Sequence, residues 1–331
     1  MTTKKDNSSL SCNFALIGAA GYISPRHLQA IKDTGNKLIC ALDKSDSVGI
    51  LDRYFENVDF FTEFERFDRY VEMLRRKNEG KEIHYVSICS PNYLHDSHIR
   101  FALRTGADAI CEKPLVLNPW NCDALDEDEK ETGHTVNTVL QLRVHPAILD
   151  LKKRIDEDAN GKRHSIDLTY ITSRGNWYFY SWKGDISKSG GVATNIGIHF
   201  FDMLLWIFGS VKKSEVHYAD SKKVGGFLEL EKADVRWFLS LDKTDLPQQA
   251  VKEGKPTFRS ITVDGQQVEF SGGFTDLHTV VYQNTLQGNG FGISDARPSI
   301  QLAYDIRHAN PTGIEHREYH PALLKKKPAT G

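Results

Sequence analysis

Short apolar runs alternate with longer amphipathic segments over the first 140 residues of the chain. The runs are rich in β-branched and aromatic side chains, as expected of buried strands, and the segments between them have helical spacing. Predicted strands lie at residues 13–17, 37–42, 85–89, 109–111 and 135–140, and predicted helices at 24–34, 64–77, 93–105 and from Asn118-Pro119 onwards. This repeated strand-helix-strand order predicts an α/β domain with a parallel sheet.

From residue 141 onwards, period-two alternation of apolar and polar residues becomes the dominant pattern. Alternating runs lie at 165–173, 211–218, 227–231, 235–241 and 258–270, and apolar helical patterns lie at 192–208 and 295–308. Asp264-Gly265 inside the last run is a strong hairpin signal. The pattern predicts an α+β domain over residues 141–331, with a large open, mostly antiparallel sheet.

Composition and charge are those of a soluble two-domain protein. The 331 residues exceed what one core usually organises, and charged residues make up 26%. The 42 Lys and Arg balance 44 Asp and Glu, so no nucleic-acid partner is expected. A polar N-terminus, and the lack of roughly 18 consecutive apolar residues, predict a cytoplasmic protein without a membrane span. Five cysteines without CxxC spacing indicate reduced thiols.

A small-residue turn joins the first predicted strand to its helix, and its spacing is Gly18-x-x-Gly21. Such a turn lets backbone amides face a pyrophosphate, although a purely structural glycine turn is an equal alternative. Asp43 ends the second predicted strand, where a carboxylate accepts hydrogen bonds from the adenosine ribose and repels a 2′-phosphate. The pair predicts a Rossmann domain over residues 1–140 that binds NAD in preference to NADP. A strand-end turn is the alternative role for Asp43.

Two further strand ends are predicted at the same edge of the sheet. Ser90-Pro91-Asn92 follows the strand at 85–89, and Glu112-Lys113-Pro114 follows the strand at 109–111. Ligands of open α/β sheets bind at this carboxyl edge, and a lysine there can take part in proton transfer. His95 and His98 have metal-compatible spacing, but without nearby carboxylates a metal is not expected.

The helix at 192–208 carries the second candidate group. Asn195 and His199 are four residues apart and therefore share a helix face, Gly190-Gly191 permit a close backbone approach, and Asp202 is placed to orient the imidazole. A neutral His is a suitable base for a carbinol proton. Read alone, a helical His is more often a core or surface residue.

Together these motifs resemble the glucose-fructose oxidoreductase and inositol dehydrogenase family over nearly the whole chain. The resemblance implies a Rossmann domain, an open antiparallel sheet and a catalytic pair formed by Lys113 and His199. Many family members carry Asp where this chain has Asn195, so Asn195 is expected to orient the substrate.

Residues 17–23, 89–95 and 172–178 resemble more closely one branch of the family, from bacterial O-antigen (lipopolysaccharide) biosynthesis. That branch implies NAD-dependent oxidation of UDP-N-acetyl-D-glucosaminuronic acid at C3, with the retained NADH reoxidised by 2-oxoglutarate. It also implies a downstream aminotransferase and a homotetramer assembled through the open sheets.

The predicted site contains the following residues. Cofactor-binding candidates are Gly18, Ala20, Gly21, Tyr22, Ile23, Asp43, Ser90, Pro91, Asn92, Leu94, His95, Glu112, Lys113 and Gln141. Substrate-binding candidates are Arg174, Asn176, Trp182, Lys183 and Asn195. Arg174 suits a uronate carboxylate or a diphosphate, and an ordinary surface role for it is as plausible. The alternative functions are a dehydrogenase of a simple polyol such as an inositol, and a non-catalytic NAD-binding sensor.

Overall fold

A six-stranded parallel sheet organises the N-terminal part of the protein. The computed structural model describes residues 11–77, 79–158, 161–268, 276–314 and 318–324. The strands are β1 (Asn13–Ile17), β2 (Lys37–Leu42), β3 (Asp59–Phe61), β4 (Tyr85–Ile88), β5 (Asp108–Cys111) and β6 (Val136–Thr138). The helices are α1 (Ser24–Asp33), α2 (Phe64–Lys77), α3 (His95–Arg104) and α4 (Pro119–Thr132).

The strand order β3-β2-β1-β4-β5-β6 is the doubly wound order of a dinucleotide-binding sheet. Every pairing is parallel, so the carboxyl ends of all six strands meet at one edge. β1 lies in the middle and is buried along its whole length. The edge strand β3 was not predicted, because it is only three residues long and partly exposed, which leaves little hydrophobic pattern to detect.

A second six-stranded sheet organises the C-terminal part, in the order β12-β11-β7-β10-β9-β8. Its strands are β7 (His164–Thr172), β8 (Val211–Ala219), β9 (Lys223–Leu230), β10 (Ala233–Ser240), β11 (Thr257–Val263) and β12 (Gln266–Gln267). The β7–β10 pair is parallel and the other pairings are antiparallel, which confirms the mostly antiparallel prediction. Residues 269 and 270 of the last predicted strand lie outside the described residues.

Two local features of the second sheet, one a difference from the prediction and one a match, follow from its glycines. β9 begins four residues before the predicted 227, because Gly225 and Gly226 supply no side chains to the alternating pattern. The Asp264-Gly265 hairpin is as predicted, and both residues have positive φ, 53° and 79°, as a tight type I′ turn requires.

Helices cover one face of the second sheet and also reach the first. Those after α4 are α5 (Pro146–Asp156), α6 (Trp177–Tyr180), α7 (Ile186–Ser189), α8 (Ile198–Phe208), α9 (Gln248–Lys252), α10 (Leu277–Leu286), α11 (Ile293–His308) and α12 (Pro321–Leu324). A π-helical turn, Ala193–Gly197, leads into α8. α8 packs on the sheet in a core with the fully buried Trp237.

The helical stretch Ile186–Phe208 is long and apolar enough to cross a membrane, yet 72% of its most apolar window is buried within the protein. It forms the core against the second sheet, as apolar helices of globular proteins do.

Two late helices belong to the cores of the first sheet. Leu277, Val281 and Tyr282 of α10 pack with residues of β1 and α1, and α11 packs beside α4 and β6. The helix α10 was not predicted, since its apolar residues are spread around its circumference. The division of the chain into two domains at residue 140 stays a prediction. The helices α10 and α11 come after residue 140 in the sequence, yet both pack on elements of the first sheet's domain, and α11 also packs on α8.

Candidate active site

The glycine turn after β1 lies against the end of β4. Gly18 has φ +94°, and a Cβ built on it would lie 2.7 Å from the carbonyl carbon of Cys89, so no other residue fits there without backbone movement. Within the described chain, the amides of Tyr22 and Ile23 have no hydrogen-bond acceptor. These amides open α1, so they are available to an anion such as a pyrophosphate.

Asp43 lies beside this turn, as predicted. Its carboxylate accepts hydrogen bonds from the amide of Ala20 at 2.9 Å and from the amide of Ser45 at 2.9 Å. The side chain is therefore fixed at the end of β2, one strand away from Gly18. A carboxylate in this place suits a ribose diol and disfavours a 2′-phosphate, so the observed residues fit NAD.

Two buried histidines, His95 and His98, form hydrogen bonds with Ser90 in the turn after β4. His95 is fully buried and its ring nitrogens lie 2.7 Å from the carbonyl oxygen of Pro114 and 2.9 Å from that of Ser90. The nearby His98 bonds the Ser90 hydroxyl at 2.8 Å, and burial lowers its pKa to about 4. His95 thus joins the two turns that carry Ser90 and Pro114. The cofactor contacts proposed for Pro91 and Leu94, which are partly exposed, stay predictions.

Lys113 and His199 line one small pocket together with Leu140, Leu142, Ile198 and Asp202. The ammonium of Lys113 donates to the carbonyl oxygen of Asn195 at 3.5 Å. Burial lowers the pKa of Lys113 and holds the pKa of His199 well below its usual value, and the Lys113 charge lowers the latter further. His199 is therefore neutral at physiological pH and has a free lone pair for a proton.

Asn195 connects this pocket to a tyrosine that was not predicted as part of the site. Its side-chain amide donates to the hydroxyl of Tyr178 at 2.6 Å, and its oxygen accepts from Asn92 at 3.3 Å. Tyr178 is buried within the aromatic segment 177–180, where it is one of several similar residues, so the sequence gives no signal that singles it out. The predicted Asn92 and Asn195 are thus in direct contact.

The expectation that Asp202 orients His199 is wrong. Asp202 is buried and both of its oxygens accept hydrogen bonds from Arg143, at 3.0 and 2.7 Å. Arg143 also donates to Asp295 of α11. A bidentate guanidinium is a stronger partner than a neutral imidazole one turn away, so Arg143 takes the carboxylate.

The segment that contains Arg174 and Lys183 lies near enough to Lys113 for both charges to affect the pKa of that lysine, and we call it the mouth of the site. Arg174 and Asn176 are exposed, and the Lys183 ammonium lies 4.4 Å from the ring centre of Trp182. Burial lowers the pKa of Lys183, and the charge of Arg174 lowers it further; Arg174 and Lys183 likewise lower that of Lys113. Three cations thus act on one another here, and such a group favours an anionic substrate.

The remaining predicted residues have less defined places. Gln141 begins a 3₁₀ turn after β6 and is partly exposed. Glu112 is buried beneath Lys113 and faces away from the pocket. A glycine turn with available amides, a carboxylate at the end of β2 and a Lys–His pair that lines a small pocket are together the features expected of a nicotinamide-dependent oxidoreductase of carbinols.

Comparison with known proteins agrees with this class. The NAD-binding Rossmann domain of the GFO/IDH/MocA oxidoreductase family matches residues 12–139, and the family's C-terminal alpha/beta domain matches residues 152–243. The chain belongs to this family, which confirms the predicted fold, the oxidoreductase class and NAD as the cofactor.

Among solved structures, the protein is similar to the WlbA (WbpB) dehydrogenase from Thermus thermophilus. A complex of that enzyme with NAD and alpha-ketoglutarate has 51% identity and a TM-score of 0.90, over 94% of this chain and 99% of that one. A complex with NAD and UDP-GlcNAcA has 50% identity and a TM-score of 0.89, over the same shares.

Curated relatives match over shorter stretches. D-glucoside 3-dehydrogenase of Escherichia coli is 26% identical over 143 residues, which are 42% of this chain and 40% of that protein. Levoglucosan dehydrogenase of Pseudarthrobacter phenanthrenivorans is 31% identical over 137 residues, which are 40% of this chain and 34% of that protein. The chain therefore aligns with well under half the length of these two relatives.

Proposed function

We propose that the protein oxidises the C3 hydroxyl of UDP-N-acetyl-D-glucosaminuronic acid to a ketone with NAD, and that 2-oxoglutarate reoxidises the NADH. The observation that carries this proposal is the near full-length likeness to the Thermus thermophilus dehydrogenase, which binds NAD with each of the two compounds. In the first half-reaction the carbinol loses a hydride and a proton. In the second, 2-oxoglutarate gains both and becomes 2-hydroxyglutarate.

Two side chains carry the proton chemistry. NAD supplies the hydride acceptor. His199, neutral because desolvation holds its pKa well below the usual value, accepts the C3 hydroxyl proton. Lys113 donates a hydrogen bond to the oxygen as negative charge develops on it, and Asn195 fixes the ammonium through its carbonyl oxygen. In the reverse direction the same pair returns the proton to the keto group of 2-oxoglutarate.

A direct assay tests the reaction. Purified protein given NAD and UDP-N-acetyl-D-glucosaminuronic acid should develop the absorbance of reduced nicotinamide, and added 2-oxoglutarate should be converted to 2-hydroxyglutarate. UDP-N-acetylglucosamine, which lacks the carboxylate, is the matched control and should react poorly. Protein that binds NAD but gives neither signal would rule out this substrate.

The cations at the mouth of the site are proposed to bind the two anionic groups of the substrate. Arg174→Ala should raise the KM for the UDP-sugar by about tenfold or more, because a hydrogen bond to a charged group contributes roughly 1.5–3 kcal/mol, and kcat should change little. Lys183→Ala should act in the same direction. The control is Lys153→Ala, on the exposed end of α5. A KM unchanged in both site variants would remove these residues from substrate binding, whereas a loss confined to kcat would place them in the chemistry.

A polyol dehydrogenase is the second candidate. Curated relatives of the N-terminal part include the myo-inositol 2-dehydrogenase of Thermotoga maritima, which is 27% identical over 131 residues. Reduction of bound NAD by free myo-inositol, at a rate above that with the UDP-sugar, would favour this candidate. A non-catalytic NAD-binding sensor is the third candidate, but it would not need Lys113 and His199 in one pocket. Any multiple-turnover oxidation excludes a sensor.

The setting of the reaction follows from the same proposal. The 3-keto sugar acid would be consumed by an aminotransferase in cytoplasmic lipopolysaccharide precursor synthesis. We also propose a homotetramer formed through the outer face of the second sheet, where the partly exposed Asp167 and Arg236 pair at 2.6 Å. Native mass spectrometry of the purified protein measures the oligomeric state and any bound NADH together.

A further inference from the structure

A buried carboxylate lies directly behind the catalytic turn. Oε1 of Glu112 accepts hydrogen bonds from Nε2 of His27 at 3.0 Å and from Nε2 of His278 at 2.9 Å, while Oε2 accepts from the backbone amide of Lys113 at 3.2 Å. His27 and His278 are 0% and 3% exposed, and Glu112 is 7% exposed. Because neighbouring residues of extended chain point in opposite directions, Glu112 faces the interior while Lys113 faces the pocket.

The partners of Glu112 come from two distant elements. His27 lies on α1, the helix whose first amides are available to the cofactor phosphates, and His278 lies in the first turn of α10. Nδ1 of His27 is 2.7 Å from the hydroxyl of Tyr282, one turn further along α10, and that hydroxyl is 2.6 Å from Oγ of Ser87 on β4. The cluster therefore ties the catalytic turn to α1, to α10 and to the middle of the sheet.

The donor and the acceptor of each hydrogen bond in this cluster can be assigned. Ionised Glu112 can only accept, so His27 and His278 both donate from Nε2. His27 must then accept at Nδ1 from the Tyr282 hydroxyl, whose oxygen accepts from Ser87. Burial lowers the pKa of His27, more than the bond to Glu112 raises it, so this ring is neutral. Burial alone would raise the pKa of Glu112, but the bonds from His27 and His278 outweigh it and hold that pKa well below the usual value.

We propose that His27 and His278 are positioning residues for the reaction: they fix Glu112 as a permanent anion behind Lys113 and hold the catalytic turn against the phosphate-binding helix. The inference rests on the proposed catalytic role of Lys113. In this proposal Glu112 acts through its charge and not through contact with the cofactor. Its side chain bonds His27, His278 and the Lys113 amide and faces away from the pocket.

The Glu112 anion opposes the effects that lower the pKa of Lys113 and would remove its charge. Burial, Lys183 and Arg174 lower the pKa of Lys113, and Glu112 raises it; Glu112 raises the pKa of His199 as well. When a histidine donor is lost, the buried carboxylate is under-bonded and takes up a proton. Glu112 then becomes neutral, and the pKa of Lys113 falls.

His27, Glu112 and His278 also have the composition of a metal site, since one ligand atom from each lies within 4.8 Å of the others. The direct hydrogen bonds already satisfy the carboxylate, and the bond from His27 to Tyr282 satisfies its second nitrogen. The hydrogen bonds from His27, His278 and the Lys113 amide to one anion account for the cluster without an added cation. Metal analysis of the purified protein tests this point directly.

The test measures the titration of Lys113 itself. Wild type, Glu112→Gln, His278→Leu, His278→Gln and His27→Leu are labelled with a limiting amine reagent across a pH series, and the modified Lys113 peptide is quantified by mass spectrometry. His278→Gln keeps an N–H donor, so it is the conservative rescue. His164→Leu is the matched control, since His164 is a buried histidine bonded to Asp264 at the far end of β7.

The labelling midpoint of Lys113 should fall by about one pH unit in Glu112→Gln and in both Leu variants, the scale of one charge at roughly 10 Å and an effective dielectric of about 20. His278→Gln and His164→Leu should keep the wild-type midpoint. Equal midpoints in all variants, or a stoichiometric metal ion in the wild type, would overturn the proposal.

Failure of this inference can be told apart from failure of the proposed function. The labelling curve requires no turnover, so it decides the role of the histidines even if the UDP-sugar is not oxidised. If a Leu variant does not fold, Glu112→Gln still changes the charge while preserving the shape of the side chain. In an active enzyme, the alkaline limb of the kcat profile, where Lys113 loses its proton, should move in the same direction as the labelling midpoint.

Discussion

Replacement of Lys113 by Ala should lower kcat by about a thousandfold, within the range by which positioned acid–base groups accelerate proton transfer. Lys113 lines the same pocket as His199, whereas the turn at residues 18–21 and Asp43 follow other strands, β1 and β2. The affinity for NAD should therefore stay at the wild-type level. Stopped-flow reduction of bound NAD by the UDP-sugar, with fluorescence titration of NADH, measures both quantities.

His199→Ala should produce a loss of similar size, and the double variant should lose little more than either single one, because the two groups act on one proton. His134→Ala, near the start of β6 and away from the pocket, is the control. A His199 variant with the wild-type kcat would remove this residue from the mechanism and leave Lys113 as the base.

Asp202→Ala should lower the free energy of unfolding by about 3 kcal/mol, at the lower end of the range for breaking a buried ion pair. The carboxylate binds Arg143 through both oxygens, and the guanidinium is nearly buried. The loss is not larger because Asp295 still accepts from Arg143 at 2.8 Å. Urea unfolding, followed by tryptophan fluorescence, measures the change.

Two comparisons separate the ion pair from a simple cavity. The double variant Arg143→Met with Asp202→Leu removes both charges and should recover much of the lost stability.

Burial raises the pKa of Asp202 to about 6, from an ordinary value of 3.8, although Arg143 opposes this shift. The folded protein thus holds this proton more tightly than the unfolded chain, so wild type loses stability from Asp202 as pH rises from about 4 to 6. Asp202→Asn should lack that slope.

The elements that follow from regular patterns were predictable. β1 and β2 are buried strands bounded by glycine or acidic turns, and the observed boundaries match the predicted ones. β3 and α10 were missed for the same physical reason, since neither has a one-sided apolar pattern. Tertiary contacts, to β2 in one case and to α1 in the other, determine their structures.

The candidate site shows a similar limit. Gly18, Asp43, Ser90 and Lys113 were identified because parallel strands bring their carboxyl ends to one edge, which follows from topology alone. Side-chain pairings across distant parts of the chain do not follow from it. Arg143 and Asp202 are 59 residues apart, and His278 lies 166 residues from Glu112, so no local spacing could indicate either contact.

The packing of α10 and α11 on the first sheet has a consequence for the order in which the protein is made. Val281 and Tyr282 complete the core that contains Phe14 and Leu16, and Ile300 and Ala303 complete the one that contains Ala15. A ribosome that has released only the residues through β6 has therefore produced a sheet with an uncovered apolar surface. The part of the protein that is synthesised first becomes complete only when nearly the whole chain has emerged, and until then its apolar surface stays exposed to other nascent chains.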